Sequence, residues 1–201
     1  MIKAGLTGSI AVGKSFVCDC LRELGCHVLD ADKTSREVVE PGTAGLDLIV
    51  KNFGDEILMV DGSLDRKKMG VIVFGDEEKR QLLNSIVHPL VIQSQNNWIA
   101  TREKADPNGI AVIDAALMIE SGGYARFEKL IVVWCKPAIQ LRRLMLRDNL
   151  DADQAKMRIN AQMPQDEKKA FADYLIDTSS GFDNTRRQAA NVVDKLRNAP
   201  P

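Results

Sequence analysis

An α/β fold built on a five-stranded parallel sheet is predicted by three features of this 201-residue chain. A short apolar segment, 2–7, runs directly into a glycine-rich loop and a helix-period segment. Further short apolar segments recur near residues 28, 112, 131 and 175, and helix-period stretches fill the gaps between them. Strand, loop, helix and strand in close succession form a βαβ unit, whose crossover helix makes the two strands parallel.

Taken in order, Ile2 to Thr7 reads as a buried strand, and Ser15 to Leu24 as an apolar-periodic helix stopped by Gly25. "CHVLDAD" reads as the second strand, ending in two carboxylates, Asp30 and Asp32. Past "EPG" the chain turns helical: Ala44 to Phe53, Asp65 to Phe74, and Glu77 to Lys104 with a break expected near His88-Pro89. "ADPNG" is a turn, because Pro, Asn and Gly each favour turn geometry. Ile110 to Asp114 and Lys129 to Trp134 are the third and fourth strands. Helices follow at Pro137 to Asp148, Asp151 to Gln162 and Gln165 to Ala172. Tyr174 to Asp177 is the last strand and Asp183 to Leu196 the closing helix, with "NAPP" expected to be a frayed tail.

Composition narrows the function. The net charge is −1, with 27 basic and 28 acidic residues, which argues against non-specific nucleic-acid binding. No apolar run reaches the roughly 18 residues that span a bilayer, and the first glycine comes too early for a signal-peptide core. A cytoplasmic protein is expected, with no membrane partner. Cys18, Cys20, Cys26 and Cys135 contain no C-x-x-C pair and are expected to be free thiols.

The chemistry starts at Gly8-Ser9-Ile10-Ala11-Val12-Gly13-Lys14-Ser15, which fits G-x-x-x-x-G-K-[ST]. Such a loop curls so that successive backbone N–H groups point at phosphate oxygens. Its lysine places a charge on the β- and γ-phosphates, and its hydroxyl ligates Mg²⁺. The following helix adds its positive N-terminal end. A P-loop NTPase-type fold follows, with ATP and Mg²⁺ as expected cofactors. No N-K-x-D guanine-reading segment is present, which points away from a GTPase and towards a small kinase.

A kinase needs an acceptor site. Asp30 and Asp32 end the second predicted strand, on the sheet edge where open α/β folds bind ligands. Two residues apart on a strand, they share a face, so one carboxylate can take a proton from an attacking hydroxyl. The alternative is that they cap the next helix. Gln140, Arg143 and Arg147 lie at i, i+3 and i+7 and so line one helix face. They read either as clamps on the transferring group or as a solvated face paired with Asp148 and Asp151.

With these residues in view, the chain resembles the dephospho-coenzyme A kinases along nearly its whole length. "GLTGSIAVGKS" is similar to that family's opening, and "VLDADKTSREVVEPG" to its D-A-D segment. "LDRKKMGVIVF" with "LLNSIVHPLV" resembles its L-x-R and H-P segments, "QLRRLMLRD" its Q-x-x-R-x-x-x-R, and "FADYLID" its A-D-x-V-I-D. The resemblance implies transfer of the ATP γ-phosphate to the 3′-hydroxyl of dephospho-CoA. It implies Asp32 as the base, Lys14 and the loop amides on the ATP phosphates, Ser15 on Mg²⁺, and Arg143 in a lid. Asp30, Arg36, Arg66 and His88 fall on the acceptor side, and Asp177 begins a stretch near the adenine. A helical acceptor-binding insertion (40–105) and a lid-type region (138–172) are implied within a single kinase domain.

The pattern also departs from the family. Ser9 and Ala11 replace loop glycines, and an ordinary negative φ is expected at Ala11 because a left-handed alanine is strained. "DAALMIE" lacks the family's proline, leaving Asp114 as a Mg²⁺ ligand through water and the role of Glu120 open. "IDTSSG" is one residue longer than its counterpart, which leaves the nucleotide base preference open. The alternatives are a nucleoside monophosphate or other small-molecule kinase, and a P-loop binding protein without an acceptor. Oligomeric state is not encoded in these patterns.

Overall fold

The computed structural model of the chain describes residues 1–198, so the expected tail at 198–201 lies outside the described residues except for Asn198. The path runs β1 (Ile2–Thr7), α1 (Lys14–Glu23), β2 (His27–Asp30), α2 (Ala31–Glu37), α3 (Ala44–Phe53), α4 (Arg66–Phe74) and α5 (Glu77–Ala105). It continues β3 (Ile110–Asp114), β4 (Lys129–Trp134), α6 (Pro137–Asp148), α7 (Ala152–Asn160), α8 (Gln165–Lys169), β5 (Tyr174–Asp177) and α9 (Phe182–Arg197). Two compact units result: residues 1–30 with 102–198, and residues 31–101.

The first unit holds the sheet, in the order β2-β3-β1-β4-β5, with every neighbouring pair parallel. Alternation along the strands sends Ala4 and Leu6, Ile110 and Val112, and Ile131 and Val133 into one core. Val17 and Leu21 of α1 and Ala189, Val192, Val193 and Leu196 of α9 join it, at the i, i+3, i+4, i+7 spacing of a helix stripe. Burying each large side chain contributes roughly 1.5–3 kcal/mol, which holds α1 rigid against the sheet behind the phosphate loop.

The 31–101 unit has a core of its own. Val39, Leu46, Ile49, Ile57, Leu64 and Met69 form it. Its helices start where the caps predict: the Thr43 hydroxyl accepts from Leu46 N–H at 3.2 Å, and Asp65 Oδ1 from Lys68 N–H at 2.9 Å.

Several elements differ from the sequence reading. The second strand stops at Asp30, and Ala31 begins α2, a helix the periodicity did not reveal. Asp30 and Asp32 therefore do not share a strand face; Asp32 stands in the first turn of α2, where the helix dipole favours a carboxylate. The long helix is unbroken through Pro89. Proline removes one hydrogen bond, to the carbonyl four residues back, and both Ser85 and Pro89 lie at exposed positions. Helices α7 and α8 are shorter than expected, leaving Gln162 to Pro164 as a connecting loop. No helix among the described residues is long and apolar enough to cross a membrane.

All four cysteines are free and buried. Burial pushes the Cys18, Cys20 and Cys135 thiols up, and Cys26 from 9.0 to about 11. The folded chain keeps the Cys26 proton where the unfolded chain releases it, so this contribution is complete below pH 9 and is lost as pH rises towards 11. The urea midpoint is expected to fall across that window, and less steeply in Cys26→Ala. An equal slope in the variant would count against the assignment.

Candidate active site

The phosphate loop leaves β1 at Gly8, where a Cβ would stand 2.4 Å from the Val133 carbonyl oxygen. Only glycine permits that approach. At the other end Gly13 has φ 93 and stands immediately before α1. Between them Ala11 has φ 60, against the ordinary φ expected from its side chain. The curl needs a left-handed residue at this point, and bonds on the neighbouring peptide keep Ala11 there despite a strain of about 1 kcal/mol.

Lys14 Nζ donates to Asp114 Oδ1 at 2.5 Å, with the two side chains 17% and 13% exposed. The Cys18 thiol, one helical turn on, donates to Asp114 Oδ2 at 3.4 Å. Asp114 ends β3 and is the register partner of Asp30 at the end of β2. Ser15 is exposed in the first turn of α1. Lys14, Asp114 and Asp30 thus meet at the carboxyl edge of the sheet, beside the N-terminus of α1.

The arginine face divides. The Arg143 guanidinium donates to Thr178 Oγ1 at 2.8 Å, Thr178 O at 2.9 Å and Val12 O at 3.4 Å, so it lies against the loop. Arg147 instead bonds Asp148 at 2.7 and 3.1 Å, and Arg158 also pairs with Asp148. The hydrogen bond from Arg147 holds the Asp148 carboxyl below its usual range. Gln140, on the same face, is buried and donates to the Ile10 carbonyl at 2.8 Å. One helix face therefore carries a loop support, a loop-facing cation and a solvated pair.

Asp177 turns its carboxylate to its own loop, accepting from Ser179 N–H at 2.8 Å. Its neighbour Thr178 meets the phosphate loop, donating to Val12 O at 2.6 Å. Glu120 pairs with Lys168 at 2.8 Å and accepts from Met163 N–H at 3.3 Å. Lys168 is fully buried and also donates to the Ala116 carbonyl at 2.9 Å. In the 31–101 unit Asp32, Arg36, Arg66 and His88 are all exposed, and Arg66 donates to the Arg36 carbonyl at 3.2 Å.

Thr178, Lys168, Cys18 and Gln162 escaped the sequence reading as site residues. The "IDTSSG" stretch that holds Thr178 was visible as a departure from the family pattern. A lysine in an α8 otherwise rich in charge carried no signal that it is the buried one.

The family model for dephospho-CoA kinase matches residues 2–184 of this chain. The chain belongs to the dephospho-CoA kinase family.

Among dephospho-CoA kinases, the one from Shouchella clausii is 46% identical over 194 residues, covering 96% of this chain and 98% of that one. The Listeria monocytogenes enzyme is 42% identical over 194 residues, covering 96% of each. The solved dephospho-CoA kinase from Campylobacter jejuni has a TM-score of 0.73 at 28% identity, covering 97% of this chain and 96% of that one. A shikimate kinase from Bacteroides thetaiotaomicron, at TM-score 0.52 and 14% identity over 97% of this chain and 98% of its own, shares the P-loop kinase fold alone. The expected fold class and family are thus borne out. As a dephospho-CoA kinase, the chain phosphorylates dephospho-CoA in the last step of coenzyme A formation. A kinase of this family implies ATP as phosphoryl donor.

Proposed function

We propose that the Gly8 to Ser15 loop on the sheet holds the phosphoryl donor for the family reaction. The observation that carries this reading is the Lys14–Asp114 contact beside Asp30, at the carboxyl edge of the sheet. The amides of Gly8 to Ser15 apart from that of Ile10, which bonds Gln162 Oε1 at 2.7 Å, hold the ATP triphosphate with Lys14, and Arg143 bears on it from the loop side. Lys14 then exchanges its carboxylate partner for phosphate oxygens. Asp177 to Gly181 borders the nucleotide base, with Thr178 setting the position of Arg143.

Asp32, two residues along the chain from Asp30, orients the 3′-hydroxyl of dephospho-CoA and takes its proton. Asp30, Arg36, Arg66 and His88 support the acceptor. The 40–105 region is the acceptor-binding insertion and 138–172 the lid. The Ser15 hydroxyl and the Asp114 carboxylate are hard oxygen donors that suit Mg²⁺, which when bound neutralises charge between the phosphates. The remaining catalysis is positioning of the hydroxyl in line with the γ-phosphate. A reducing cytoplasm suits the four free thiols.

The test is a mass-spectrometric assay of purified protein with ATP, Mg²⁺ and dephospho-CoA, with AMP and adenosine as parallel acceptors. The expected product is dephospho-CoA heavier by one PO₃H group, absent without Mg²⁺ and weak with the other acceptors. Phosphorylation of AMP instead would sink the acceptor assignment. ADP without a phosphorylated acceptor would favour a binding protein.

A further inference from the structure

We infer that Gln162 is a positioning residue that links the α7–α8 connection to the phosphate loop and sets how tightly the loop takes nucleotide. The inference rests on the phosphate site proposed above, though not on the identity of the acceptor. Gln162 Oε1 accepts from the Ile10 N–H at 2.7 Å, 152 positions away in sequence. The carbonyl of Ile10 is held too, by Gln140 Nε2 at 2.8 Å. Ser9, next to it and buried, donates from Oγ to the Met163 carbonyl at 3.4 Å.

The carboxamides form a directed chain. Gln165 Nε2 donates to Gln140 Oε1 at 2.7 Å, and Gln165 Oε1 accepts from Cys135 N–H at 3.0 Å. A backbone donor at Cys135 and a backbone acceptor at Ile10 terminate the run, so each amide has one orientation that satisfies all partners. The far side of the connection is anchored as well: Met163 N–H donates to Glu120, which the buried Lys168 holds. Ile10 is thus held through both its N–H and its carbonyl, on the two successive peptide units immediately before the left-handed Ala11.

This placement has a consequence for binding. A loop with Ile10 held in this way keeps Ala11 left-handed and the later amides, Val12 to Ser15, already curled. Preorganisation of that kind raises affinity by removing ordering cost from the binding step. Ile10 N–H is spent on Gln162 rather than on phosphate, so the link stands in the nucleotide-free chain and moves with the α7–α8 segment.

Gln162→Met keeps the length of the side chain and removes the acceptor. In nucleotide-free protein, amide exchange at Ile10 read by NMR is expected to accelerate about tenfold, and the Kd for Mg-ADP to rise by roughly five- to tenfold, the scale of one hydrogen bond. Ala11→Gly in that background is expected to recover about half of the lost affinity on a logarithmic scale, because glycine takes the left-handed conformation unaided. Exchange and Kd within twofold of the parent would overturn the inference. So would a rise in Kd that tracks lost thermal stability and does not respond to Ala11→Gly, the mark of a merely structural contact. Both readouts precede transfer, so a parent protein that binds Mg-ADP but fails on dephospho-CoA would sink the acceptor reading and leave this one standing.

Discussion

Asp32→Asn is expected to lower kcat by about 10²- to 10⁴-fold, the usual contribution of a general base, while the Kd for Mg-ATP stays within about twofold of the parent. Asparagine keeps the size of the side chain and can still hydrogen-bond the acceptor hydroxyl, but it cannot hold the proton. Asp32 is exposed in the first turn of α2, and its backbone carbonyl accepts from Ser35 Oγ at 2.8 Å, a bond that the substitution leaves in place. Single-turnover measurements with saturating ATP and dephospho-CoA separate the two effects. Nucleotide affinity falling as far as turnover would mean that Asp32 supports the donor site rather than the hydroxyl.

Lys168→Met is expected to destabilise the fold by about 3 kcal/mol, the lower end for breaking a buried ion pair. The lower end applies because Glu120 is 24% exposed and water partly compensates it, whereas Lys168 is 1% exposed. For a chain of this size the melting midpoint should drop by roughly 10 °C. Two groups lose the ammonium together, the Glu120 carboxylate, which keeps the Met163 N–H, and the Ala116 carbonyl, which keeps the Thr7 hydroxyl. Adding Glu120→Gln to the variant removes the stranded charge and should restore part of the loss. Calorimetric unfolding of the parent, both single variants and the double variant measures the coupling, and strictly additive effects would sink the assignment.

Much of the fold was legible because its signals are local. Ile110 to Asp114, Lys129 to Trp134, Pro137 to Asp148, Ala44 to Phe53 and Tyr174 to Asp177 have the bounds that periodicity assigns. The misreadings share a cause. In "LDAD" no Gly or Pro marks the end of the second strand, and a helix as short as α2 barely shows a period. At Pro89 the local rule was overridden by the rest of a long helix. At Ala11 the local cost was overridden by contacts from residues far along the chain.

By itself the sequence determined the phosphate loop, the parallel sheet and the family, because each is written in short spacings of residue types that act on their neighbours. Gly8, Gly13, Lys14 and Ser15 act within one turn of backbone, and β-strand alternation acts within a few residues. Tertiary structure alone decided which carboxylate holds Lys14, that Arg143 turns to Thr178 while Arg147 turns to Asp148, and which lysine of α8 is buried against Glu120. Those choices depend on where separate chain segments, 100 positions apart for Lys14 and Asp114 and 35 for Arg143 and Thr178, arrive once the sheet is assembled, and equivalent side chains on one helix face then meet different surroundings.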